Sequence, residues 1–419
     1  MYFKSLLVSI LLGTAYYSLA QVITKESTVP NYQLPKLLRS NTGQKITHAG
    51  EWERVRRPEI LQMLEEQLYG LAPSVTVNFP SDVTNSRDKF MNGKASMKEI
   101  TIHLTYEGKS LDLNMLLFLP NKIKDNIPVI IGLNEYGNHT VFPEETFSVP
   151  KGWVPNDENF GITNNTASKL SRGIMVERWP ILNMINRGYG IALIYCGDID
   201  PDFDDGFKNG AHAFLPSIEG DKAWGSIAAW SWGIRQVIEY FRYLPEVNRN
   251  NVILAGNGPL GTAVLWAAAL DNRVGVVIAQ NTGIDGASLS NRQFGATINN
   301  TLAAHPHWFA KNFQQYAGKE KNLPFDQHFL LSLVAPRPIY LSNTFDATDA
   351  DPTGTIETAT KTNNIYLLYD RLGMEQKEFP ATTTVNHDGY VAYHIRNGKP
   401  SFTIYDWERF LDYADVFYK

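Results

Sequence analysis

Cysteine is nearly missing from this chain of 419 residues: Cys196 stands alone. A single thiol cannot close an intrachain disulfide, so the core must hold the fold, and a chain of this length can bury one. Net charge is scarce too. Lys and Arg number 38 and Asp and Glu 43, leaving −5. That balance gives no electrostatic case for nucleic acid or an anionic membrane as partner. Past the N-terminus, no run is long and apolar enough to span a bilayer. There is no internal repeat, no low-complexity tract, no cofactor motif and no signature of an oligomeric state. No cofactor is expected.

What is present is ordinary globular composition, 43% hydrophobic and 19% charged. It suits a large α/β domain. Aromatics reach 12%, with nine Trp and twenty Tyr, which fits a large core and also faces that stack sugars. The N-terminal "MYFKSLLVSILLGTAYYSLAQ" has Lys4, an apolar stretch from Leu6 to Leu12, and Ser18-Leu19-Ala20 before Gln21. Those are the three parts of a secretory signal over residues 1–20, which predicts export to the periplasm or beyond. The stretch is short for a membrane span, and no cysteine follows it to carry a lipid, so no membrane anchor is expected.

Residues 21–50 are polar with scattered Pro and read as an extended lead-in; residues 51–419 read as a single domain. "EWERVRRPEILQMLEEQLYG" has Ile60, Leu61, Leu64 and Leu68 on one face, the pattern of an amphipathic helix. "MKEITIHLTYEGKSLDLNMLLFLP" reads as a hairpin turning at Glu107-Gly108-Lys109. Short apolar runs follow at Ile127–Leu133, Gly190–Cys196, Val252–Ala255, Val274–Ala279 and Pro338–Leu341. Helical patterns separate them, among them Ser226–Phe241 and Thr262–Leu270, and Tyr405–Tyr418 closes the chain. This alternation predicts an α/β fold: a mostly parallel sheet wrapped by helices, with the hairpin at one edge.

"VILAGNGPLGTAVLWAAAL" reads as a strand, a tight turn and a helix. That is the build of a nucleophile elbow, in which small neighbours are needed because backbones crowd; Gly256 and Gly261 supply the room. Yet the apex reads Asn257-Gly258-Pro259, without Ser, Cys or Asp.

On these and further stretches the chain resembles the glucuronoyl esterases, carbohydrate esterase family 15, and their bacterial acetyl-xylan-esterase-like relatives. The similarity runs from about Trp52 to the C-terminus. It is carried by "GLNEYGNHTV", "RGYGIALIYCGDIDPDFDDGF", "AWGSIAAWSWGIRQV", "HPHWFAKNF", "LPFDQHFLLSLVAPRPIY" and "YDWERFLDYAD". The resemblance implies an α/β-hydrolase fold, a Ser–His–acid triad and, in active members, cleavage of glucuronate esters on xylan. Carried over position by position, the nucleophile falls on Gly258, the oxyanion Arg on Pro259 and the sugar-contacting Lys on Thr262. The acid falls on Asn281, the uronate-contacting Glu on Ala296 and the catalytic His on Pro400. In "DATDADP" an alternative acid falls on Ala347, one residue from Asp346, and a Trp on Asp349.

Gly258 cannot attack a carbonyl and Pro400 cannot move a proton. Triad members act as a unit, so each loss alone is crippling. The expectation is therefore a pseudoenzyme that binds plant cell-wall carbohydrate or a partner. The alternative is an ester hydrolase with a rebuilt site, and a third reading is a product without selected activity. For a rebuilt site the residues offer His387-Asp388, and Ser288 and Ser290 in a loop. His305 and His307 are closely spaced but show no third ligand. Asp198, Asp200, Asp202 and Asp204 alternate as in a calcium loop but lack the bidentate Glu at the twelfth position. They read first as carboxylates that cap turns and pair with Arg, so no metal site is assigned.

Overall fold

A computed structural model describes residues 22–218, 220–375 and 383–419. The leader expected over residues 1–20 lies outside these residues. Ten strands make one mixed sheet: β1 Ser81–Phe90, β2 Ala95–Tyr106, β3 Lys109–Pro120, β4 Val129–Asn134, β5 Gly190–Tyr195, β6 Val252–Asn257, β7 Val274–Gln280, β8 Ile339–Thr344, β9 Val385–Asn386 and β10 Val391–Arg396. Their order is β1-β2-β3-β5-β4-β6-β7-β8-β10-β9. From β5 to β10 every pairing is parallel. The hairpin β2–β3 adds antiparallel strands at one edge, as the alternation before and after Gly108 requires.

The parallel strands are apolar because both of their faces are covered. Along β6, Leu254 faces one core, with helices α2 Ser226–Tyr240, α3 Pro259–Leu270 and α4 Pro352–Tyr366. Ile253 and Ala255 face a second core, closed by helix α5 Ile404–Tyr418. That is the period-two alternation of a strand buried on both sides. The N-terminal amphipathic pattern forms a helical run, α1, from Ala49 to Tyr69, and Ile60, Leu64 and Leu68 are fully buried. No helix among the described residues is long and apolar enough to cross a membrane.

Two features were not legible in the sequence. The stretch SDVTNSRDKF shows no apolar alternation, yet it forms β1, pairing antiparallel with β2 through irregular register steps. An edge strand with one solvated side can carry polar residues throughout. The lead-in is docked rather than loose. Leu37 and Ile46 enter the core, the Ile23 carbonyl accepts from the Gly295 amide at 2.7 Å, and Arg292 reaches Glu26 at 2.9 Å.

Candidate active-site cleft

The expected elbow is built. β6 ends at Asn257, α3 begins at Pro259, and Gly258 between them has φ 56° and ψ −132°. Side chains rarely adopt that conformation, which is why the apex accepts glycine readily. A Cβ added at Gly258 would meet no atom within 4 Å. One at Gly256 would lie 2.3 Å from the Leu260 carbonyl oxygen, and one at Gly261 2.7 Å from the Thr282 methyl. Those two glycines supply the close approach on which the turn depends. Pro259 sits where the helix leaves an amide without a partner, so its missing N–H costs nothing there.

The elbow opens into a cavity of about 600 Å³. Gly258, Pro259, Asn281, Ala296, Asp349 and Pro400 all line it, and so do Asp346 and Ala347, so these positions singled out in the sequence converge. Thr262 does not join them. It is fully buried below the cavity, where its hydroxyl donates to Asp285 Oδ2 at 3.3 Å. Asp285 itself faces the cavity, and no motif or spacing in the sequence marks it. Burial pushes its carboxyl up to about 7, against the weaker opposing effect of its own amide and the Thr262 hydroxyl.

Asn281 has φ 49°, a left-handed conformation that Asn tolerates well. Its Oδ1 accepts from the Thr344 amide at 2.8 Å, while its Nδ2 is buried without a partner, as is Gln280 Nε2. Pro400 belongs to a loop held from beneath. Arg396 donates to both oxygens of Asp406 at 2.8 and 3.0 Å, and also reaches the carbonyls of Asn397, Lys399 and Ser401. Asp406 also takes His394 Nε2 at 2.8 Å. Burial works to raise the Asp406 carboxyl, but His394 and Arg396 hold it down to about 2.

Among the described residues, the cavity lining contains no Ser, Cys, Lys or Arg. Its ionisable groups are Asp285, Asp346, Asp349 and His305, the last stacked on Trp308 at 3.8 Å between ring centres. Ser288 lies away from this wall, its hydroxyl shared among Ala350, Asp351 and Thr355. Ser290 donates to the Ile284 carbonyl at 3.2 Å. His387 is hydrogen-bonded to Tyr340 at 2.7 Å and is not part of the lining. These side chains serve local structure.

The alternating aspartates do not converge, because each points to different partners. Asp198 accepts from the Asn114 backbone and side chain, and burial lifts its carboxyl to about 6. Asp200 pairs with His212 at 2.8 Å, and Asp204 accepts from the Gly206 amide at 3.1 Å. Asp202 reaches across to His307 Nε2 at 2.9 Å and Trp308 Nε1 at 2.7 Å. It is thereby grouped with both His305 and His307, one donor atom from each lying within 4.8 Å of the others.

A strand–elbow–helix opening into a cleft at the carboxyl ends of a parallel sheet is a hydrolase architecture. Comparison with known proteins narrows it. Carbohydrate esterase MZ0003, from an unknown prokaryotic organism, is 36% identical over 395 residues, covering 93% of this chain and 90% of that protein. The chain belongs to the glucuronoyl esterase family, carbohydrate esterase family 15. The family model described as "Glucuronyl esterase, fungi" matches residues 186–373, which hold the elbow, Asn281 and Asp349. Among solved structures, a promiscuous family 15 esterase from a marine bacterial metagenome superposes with a TM-score of 0.88 at 35% identity, covering 94% of this chain and 99% of that one. The glucuronoyl esterase of Solibacter usitatus follows at 0.87 and 32%, covering 93% and 99%. Family membership thus extends over nearly all of the described chain, the cleft included.

Proposed function

We propose that this chain is an exported, non-hydrolytic member of the family, whose cleft binds carbohydrate. The observation that carries the reading is the apex of the elbow. Gly258 keeps the unusual backbone of a nucleophile turn, points an empty position into the cavity, and has no Ser, Cys or Lys beside it among the described lining residues. Pro400 lines the same cavity, so neither an attacking oxygen nor a basic imidazole is supplied where the family chemistry needs them.

Binding is what the remaining groups can do. The stranded Asn281 amide, the Asp285 carboxyl and the Trp308–His305 stack offer hydrogen bonds and an aromatic surface to a polyol. Asp346 and Asp349 face the cavity without Lys or Arg among its described lining, which favours a neutral sugar over a uronate. The same reading takes residues 1–20 as the export signal and residues 21–50 as a lead-in to a single domain over 51–419.

The test uses tag-free mature protein. A fluorophosphonate probe should label no serine, and a panel of glucuronate and acetyl esters should show no turnover. Calorimetry should give tighter binding of neutral xylo-oligosaccharide than of its glucuronate-substituted counterpart. Stoichiometric labelling or turnover would establish instead a hydrolase with a rebuilt site.

A further inference from the structure

We infer that Asp202, His305 and His307 form a binding site for a zinc-class divalent ion on the rim of the cleft. The three residues come from two segments distant in sequence: Asp202 follows the short helix Cys196–Ile199, while His305 follows the helix Ile298–Ala304 and His307 lies in the turn Pro306–Trp308 after it. Among the described residues it is the one group of three such side chains that could hold a metal.

Pairing alone does not account for the arrangement. Two imidazoles gather round one carboxylate. His307 Nε2 uses the Asp202 Oδ1 contact at 2.9 Å, and His307 Nδ1 is buried without a partner. His307 is 5% exposed, so water does not readily satisfy that nitrogen. His305 stacks on Trp308, and no hydrogen bond from its ring is found among the described residues. Trp308 Nε1 donates to Asp202 Oδ1 at 2.7 Å, an outer contact of the kind that fixes a liganding carboxylate in place.

The donor set indicates the class of ion. Two imidazole nitrogens and one carboxylate oxygen suit zinc and its neighbours, whereas calcium and magnesium take oxygen ligands. Zinc sits about 2.0–2.2 Å from such atoms, which places neighbouring donors about 3–3.5 Å apart. The Asp202–His307 contact, at 2.9 Å, is slightly shorter than that spacing, and one donor atom from each of the three residues lies within 4.8 Å of the others. Three protein ligands leave zinc at least one open position. Because His305 lines the cavity, that position is close to whatever the cleft holds. The ion would place a positive charge in a wall otherwise bearing carboxylates. The site stands on its own geometry, independent of the proposed carbohydrate binding.

The test is zinc titration of the tag-free mature protein by calorimetry, with calcium and magnesium run alongside and metal content measured by mass spectrometry. We expect one zinc per chain at micromolar affinity or tighter, and no comparable heat from calcium or magnesium. His305→Ala leaves the Asp202–His307–Trp308 contacts intact, so its fold should persist by circular dichroism while zinc affinity falls at least tenfold. His307→Ala should do the same or worse, but it also opens a buried pair, so His305→Ala is the deciding variant. Absence of zinc binding in the parent protein overturns the site. So does a His305→Ala protein that binds zinc with less than a tenfold loss, or a stronger response to calcium.

Discussion

The two ends of the loop that carries Pro400 differ sharply. At its base the polar groups are partnered: Arg396 straps three loop carbonyls, Asp406 gathers His394, Arg396 and the Thr403 hydroxyl, and the Gly398 amide reaches Asp346. At its tip, on the cleft wall, the Pro400 side chain offers neither donor nor acceptor, and Asn281 Nδ2, from another residue of the same lining, stays unpaired. A firmly held loop thus presents nothing reactive. Stability and chemistry in this fold are therefore separable: the network below the cleft sets the shape, and the side chains facing it can change without dissolving it.

The largest break in this comparison should come from Asp406→Ala, which strands Arg396 and His394 in the core. Removing one partner of a buried charged pair typically costs about 3–5 kcal/mol, to be read from urea denaturation. The sign of its acid dependence follows from the depressed carboxyl: Asp406 stabilises the fold above about pH 4, and that contribution fades as pH falls toward 2. The melting temperature of the parent should fall over that window, and that of Asp406→Asn should fall less.

Asp285 works with the opposite sign. Its carboxyl is raised from 3.8 to about 7, so the folded state holds a proton that the unfolded state has lost. Stability linked to it is full below about pH 4 and declines as pH rises toward 7, by at most about 1.4 kcal/mol per pH unit. Asp285→Asn should flatten that stretch of the melting-temperature profile. An unchanged slope would mean that the carboxyl is ionised in the fold at neutral pH.

Gly258→Ser sharpens the separation further. A Cβ there would meet no atom within 4 Å, so the main cost is backbone strain, about 1–3 kcal/mol. It should yield no esterase, because Pro400 supplies no base. The combination Gly258→Ser, Pro259→Arg, Asn281→Glu and Pro400→His should give measurable release from a glucuronate ester. Substantial turnover by the single variant would reveal a base already in place. The smallest effect belongs to Asp349→Asn. Asp349 is exposed, so removing its charge should improve binding of a glucuronate oligosaccharide by about 1 kcal/mol or less, measured by calorimetry beside the neutral oligosaccharide.

Much of the fold and of the cleft is legible in the chain itself. The apolar runs mark the parallel strands because burial on both faces leaves no choice of side chain, and Gly256 and Gly261 mark the crowded turn because no other residue fits. β1 is illegible because an edge strand with a solvated face carries no periodic apolar signal. The family resemblance carries a sugar-contacting Lys onto Thr262, but the helix turns that side chain down toward Asp285. Asp285 and the grouping of Asp202 with His305 and His307 cannot be read from the sequence at all. Asp202 and His307 lie 105 residues apart, and only the folded sheet brings them within reach.

The docked lead-in has a practical consequence. Ile23 is hydrogen-bonded to Gly295, and the next residue, Ala296, lines the cavity. At the other extreme Tyr418 donates to the Val252 carbonyl, at the start of β6, whereas Asn257 at its finish borders the cleft. Six strand residues at about 3.3 Å each therefore stand between the helix Ile404–Tyr418 and the cleft. A sensor chip, bead or affinity handle attached at Lys419 leaves the cleft facing outward. The same handle placed just ahead of Ile23 would crowd its entrance.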